Sequence, residues 1–150
     1  MVKMKTGQML NTDFWKNSSL VNSEEKLFYL YLLTNLSTNH IGIYQITKKQ
    51  IAFELGYSLD TVTLLMERFI EQYNLVRYNS TTLELAIKNW GLHIEPIKGK
   101  RNKSYLFSEL SNVEDPSLIS YVSESITQPE IRNLYESFFE TERLSSSLKE

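Results

Sequence analysis

The chain has 150 residues, 41% hydrophobic and 23% charged, enough apolar content for one core with at most a small appendage. It holds no cysteine, which excludes disulfides, thiolate nucleophiles and thiolate zinc sites together and suits a reducing, cytoplasmic setting. The net charge of −2 conceals an asymmetry: residues 1–104 carry 13 Lys/Arg against 9 Asp/Glu, residues 105–150 carry 3 against 9, so the two parts either have different partners or face each other.

Nine Tyr, seven Phe and two Trp supply large buried or contact area, which argues against disorder. The longest apolar run, near Leu27 to Leu33, is too short to span a bilayer, and MVKMKTGQMLNTDF lacks the apolar centre of a signal peptide. No membrane partner is expected. His40 and His93 have no second metal-type ligand at a recognised spacing, and neither a Gly-x-Ser-x-Gly elbow nor a phosphate-cradling glycine loop occurs. The expectation is therefore a non-catalytic protein without metal or cofactor.

Taken in chain order, NTDFWKNSSLVN mixes Phe14, Trp15 and Leu20 with turn formers and reads as a short strand or turn against the core. Asn22 or Ser23 can cap a helix over EEKLFYLYLLTNL, with Glu24 and Glu25 well placed in its first turn. That helix is apolar nearly all round, so it is buried on more than one side, by the rest of the chain or by another subunit. Ile41 to Ile46 is β-type, with Gly42 as a permissive joint.

Thr47-Lys48-Lys49-Gln50 matches a capping box, Ile51, Ala52 and Leu55 form a narrow stripe, and Gly56 is placed for a left-handed stop. Ser58 can cap a third helix on which Val62, Leu65, Met66, Phe69, Ile70 and Tyr73 keep the 3.6-residue period. Thr61, Thr63, Glu67, Arg68, Glu71 and Gln72 then point outward. LVRY and LELAI, separated by Asn79-Ser80-Thr81-Thr82, make a hairpin.

Two closely joined helices with Gly at the corner and a hairpin after the second predict a mainly α fold with a small β-hairpin, a winged helix-turn-helix over 1–97. A basic linker over 98–104 and an acidic helical extension over 105–150 follow, with Pro116 and Pro129 suited to helix starts.

On such a scaffold the candidate nucleic-acid contacts fall into three sets. Thr61, Thr63 and Arg68 lie on the helix that would enter a groove, with Lys48 and Lys49 at the preceding helix start. Arg77, Asn79, Ser80, Thr81 and Thr82 lie at or near the hairpin tip, where Asn and Thr are also ordinary turn residues. Lys98, Lys100, Arg101 and Lys103 form the densest positive run and the best single guess for backbone binding. Glu67 and Glu71 oppose a groove-reading role, because carboxylates on that face repel phosphate. Tyr29, Tyr31 and Trp90 could stack on bases, but at such positions they more often pack in a core.

The pieces DFW at Asp13 to Trp15, EKLFYLYLLTN at Glu25 to Asn35, GIYQIT at Gly42 to Thr47, IAFELGYS and NW at Asn89 and Trp90 occur in one ordered series over about half of the chain. In them the sequence resembles the N-terminal winged-helix domain of phage replisome organisers, relatives of the DnaD-type primosome proteins. The resemblance implies a role in phage or mobile-element replication initiation. It would bind origin DNA, duplex or single-stranded, self-associate as a homo-oligomer, and help recruit a helicase loader or helicase. It also implies that Phe28, Tyr29, Leu32 and Leu33 would meet another subunit. Organisers of this kind usually continue to a second domain, where this sequence has an acidic helical tail. Two other functions suit the same fold: a transcriptional regulator reading bases through the third helix, and a protein adaptor that binds no DNA.

Overall fold

The computed structural model describes residues 2–3, 6, 8–16, 22–94 and 100–148, with side chains described at 6, 8–11, 14–16, 22–94 and 103–139. Its first elements are the paired strands β1 (Val2–Lys3) and β2 (Met9–Leu10) and a 3-10 turn at Thr12–Lys16. Then come α1 (Ser23–Thr34), β3 (Ile43–Gln45), α2 (Lys48–Leu55), α3 (Leu59–Glu67), β4 (Val76–Asn79) and β5 (Glu84–Ile87). The short α4 (Trp90–His93), α5 (Lys100–Ser111), α6 (Pro116–Ser123) and α7 (Pro129–Leu148) follow. The molecule is thus mainly helical with a small antiparallel sheet of order β3-β5-β4. None of the described helices is long and apolar enough to cross a membrane.

Local chemistry sets the helix ends. Asn22 Oδ1 accepts the Glu25 amide at 2.8 Å, Thr47 Oγ1 accepts the Gln50 amide at 3.1 Å and Ser58 Oγ accepts the Thr61 amide at 3.1 Å, each satisfying an amide that the helix cannot. Gly56 closes α2 at φ 72°, a left-handed position that favours glycine. The expected capping box forms only by half. Gln50 Nε2 donates to Ser37 Oγ and to Glu54 Oε1, both at 3.1 Å, so its side chain ties α2 to the turn after α1.

Phe28, Tyr29, Leu32 and Leu33 are fully buried by this chain's own residues. Phe28 packs edge-on to Phe69 at 5.0 Å, and Tyr29 is ringed by Phe14, Phe69 and His93 at 5.4–5.8 Å. Intrachain packing therefore accounts for the all-round apolar character of α1. These four side chains present no surface to another subunit.

α3 runs on through a π turn at Arg68–Gln72, where the Tyr73 amide donates to Arg68 O, five residues back. A hub at Glu25 fits this turn: its carboxylate, 3% exposed, accepts from Arg68 Nη1 at 2.8 Å and from Tyr73 Oη at 3.0 Å. In the sheet, Arg77 pairs with Ala86 and Asn79 with Glu84, so these four share one face, while Val76, Tyr78, Leu85 and Ile87 share the other. All four β5 residues are buried. That is unusual for a hairpin with one solvated face, and α6, lying on β5 and β3, is the reason.

The segment read as a basic linker is helical from Lys100, and the expected boundary at 104/105 falls inside α5. Leu106, Leu110, Leu118, Ile119, Val122, Ile131 and Tyr135 join the same hydrophobic cluster as α1, α3 and the sheet. Helix starts at Pro116 and Pro129 agree with the sequence reading.

Candidate nucleic-acid interface

Two short turns position the helix pair. Residues 35–42 carry the chain from α1 to β3, with Gly42 at φ 78°, and a Cβ there would meet the Trp90 side chain at 2.5–2.8 Å. The turn is held from behind: Trp90 Nε1 donates to His40 O and Tyr135 Oη to Ile41 O, both at 3.1 Å. Gly56, Tyr57 and Ser58 then set α3 against α2.

On this frame the predicted contact residues divide sharply. Lys48 is half-buried and Lys49 exposed, at the first turn of α2, and neither has an ion pair or hydrogen-bond partner among the described residues. Thr61 Oγ1 accepts from Ser58 Oγ and Thr63 Oγ1 donates to Leu59 O, both at 2.9 Å, so the Thr63 proton is spent within its own helix while Thr61 keeps its O–H. Arg68, expected outward, points instead at the buried Glu25, where leaving the carboxylate unpaired would be costly.

The hairpin cation and amide are likewise engaged. Arg77 lies 4.3 Å over the ring of Tyr121 on α6, and Tyr121 Oη donates to Asn74 O at 3.2 Å. Asn79 Nδ2 donates to Asp115 Oδ2 at 2.9 Å, while its Oδ1 accepts the amides of Thr81 and Thr82 at 2.9 and 3.1 Å. Burial pushes the Asp115 carboxyl up, but hydrogen bonds from Ser117 and Asn79 and the Arg77 charge outweigh it, holding the group below the usual carboxylate range. Ser80 and Thr81 remain exposed at the tip.

Of the basic run, Lys103 Nζ pairs with Glu130 Oε2 at 2.9 Å, an exposed pair worth little. Lys98 lies outside the described residues. Lys100 and Arg101 open α5, their side chains outside the described set.

The outward stripe of α3 has another character. Asp60, Leu64, Glu67 and Glu71 are all exposed, with Leu64 61% exposed. Phe53 on α2, 86% exposed, is a further large apolar side chain in water. Both lie off the periodic apolar stripes of their helices, and that offset was the signal available in the sequence. The Glu25 hub had no comparable signal, because it joins residues more than forty positions apart. Among the described residues no group of three or more His, Cys, Asp or Glu is arranged to hold a metal ion.

Comparison with protein-family models, curated proteins and solved structures finds no match to this chain.

Proposed function

We propose that this chain is a non-catalytic, DNA-binding winged-helix protein of the replisome-organiser kind, acting in replication initiation of a phage or mobile element. One observation carries the reading: a capped helix, a left-handed glycine corner and a second capped helix lead directly into a hairpin paired to a third strand in the order β3-β5-β4. The ordered resemblance over DFW, EKLFYLYLLTN, GIYQIT, IAFELGYS and NW supports the replication role.

Contact with DNA is made through phosphates, by Lys48 and Lys49 at the start of α2 together with Lys98, Lys100 and Arg101. Arg68, Arg77 and Asn79 serve the fold. Base reading by α3 is disfavoured by Asp60, Glu67 and Glu71, which argues against the repressor alternative. Weak contacts of this kind gain useful affinity when several subunits sit on one DNA, so self-association belongs to the same reading, through a surface other than Phe28, Tyr29, Leu32 and Leu33. Capture of a helicase loader or helicase is the expected consequence on the resemblance.

The test is a salt series of binding to duplex and single-stranded DNA, with the solution mass measured alongside. Replacing Lys98, Lys100 and Arg101 by Ala should weaken binding on all sequences and flatten the slope by about one for each phosphate no longer neutralised. No binding to either form at the lowest salt would remove DNA from the function and leave the adaptor reading.

A further inference from the structure

We infer that the outer face of α3 is a docking surface for a cationic segment of a partner protein that carries an apolar anchor residue. Asp60, Leu64, Glu67 and Glu71 follow one another at helical spacing and are all exposed. Around the leucine lies an open hollow of about 180 Å³ lined by Leu64, Glu67, Arg68, Glu71 and Gln72. The cation in that lining, Arg68, pairs with the buried Glu25 at 2.8 Å and makes no ion pair with Glu67 or Glu71 among the described residues.

The chemistry of the face selects its partner. It offers mainly acceptors, since the Thr63 hydroxyl already donates to Leu59 O at 2.9 Å within the helix turn. Phosphate would be repelled along the whole stripe. A small cation would satisfy the carboxylates but leave Leu64 in water. A segment with Lys or Arg flanking a Leu, Ile or Phe satisfies both, the charges fixing register against the carboxylates and the anchor packing on Leu64 at the edge of the hollow. The inference goes beyond the DNA reading and stands whether or not the chain binds DNA.

The experiment is a titration of the full ¹⁵N-labelled chain with a synthetic helical peptide of Leu and Lys, and with its Leu and Glu counterpart, followed by backbone amide shifts. The Lys peptide should move amides of Asp60 to Gln72, and the Glu peptide should not. Glu67→Gln with Glu71→Gln should weaken binding about tenfold, and Leu64→Ala by a comparable factor. These exposed positions are not needed for folding, and the unperturbed remainder of the spectrum checks that. Shifts scattered outside α3, equal affinity in the variants, or no binding of the Lys peptide would overturn the inference. So would duplex DNA moving the α3 amides, because the face would then belong to nucleic acid. Absence of any response to DNA, with the peptide bound at α3, would fail the DNA reading alone.

Discussion

The region from α1 to α4 and the region from α5 to α7 differ in charge, yet one hydrophobic cluster runs through both. The difference shows what the acidic residues of the second region are for. Asp115 receives Asn79, and Glu109 accepts from the His40 amide at 2.8 Å and lies 2.6 Å from His40 Nδ1. In return Glu84 on β5 accepts the amides of Glu114 and Asp115, both at 2.9 Å. The two regions thus meet through carboxylates contributed from both sides. The carboxylates at the seam act as hydrogen-bond acceptors for specific groups rather than as a diffuse field.

The seam breaks most severely at Glu84, which is 3% exposed and holds the turn before α6. Glu84→Ala leaves two amides without their acceptor and should cost about 4 kcal/mol in urea unfolding. Tryptophan fluorescence and far-ultraviolet dichroism should still give one transition. Two separated transitions would show that the halves fold independently. Gly42→Ala attacks the seam from the other side, forcing a left-handed backbone and displacing Trp90, and should cost about 3 kcal/mol.

Arg68→Ala is the comparison within the first region alone. It leaves Glu25 buried with the Tyr73 hydroxyl as its remaining partner of those two and should cost about 2 kcal/mol, with little change in DNA affinity. A DNA defect larger than the stability loss explains would return Arg68 to the interface.

The smallest stability effect is a pH dependence at His93. Burial among Phe14 and Tyr29 lowers its pKa below the ordinary 6.5, and Nε2 has no hydrogen-bond partner among the described residues. The unfolded chain therefore binds the proton first. Stability present above 6.5 is lost as pH falls from that value toward the lower folded pKa. His93→Phe should flatten that slope between about pH 7 and 5. An unchanged slope would assign it to another group.

What the sequence made legible was mostly local. Thr47, Ser58 and Gly56 mark helix ends because capping chemistry acts over three or four residues, and the 3.6-residue period of α3 needs no knowledge of its neighbours. The period of two along β4 and β5 separates their faces correctly but is silent on what covers each. Arg77 and Asn79 therefore read as solvent contacts when α6 lies over them. The start of α5 was hidden for a similar reason: Lys, Arg and Asn after Pro96 and Gly99 resemble a loop until Leu106 and Leu110 find the core. For α1, burial on several sides was legible, while the identity of its cover was not, because Phe14, Phe69 and His93 come from distant parts of the chain.

The most direct measurement is the affinity for duplex DNA, at one low salt concentration, of Lys48→Ala with Lys49→Ala beside Glu67→Gln with Glu71→Gln. With phosphate contacts at the start of α2 and none on α3, the lysine pair should weaken binding about tenfold and the glutamate pair should change it less than about threefold. A tenfold or greater gain on neutralising the glutamates, with the lysine pair indifferent, would place DNA on α3 and contradict the proposed division of the surface.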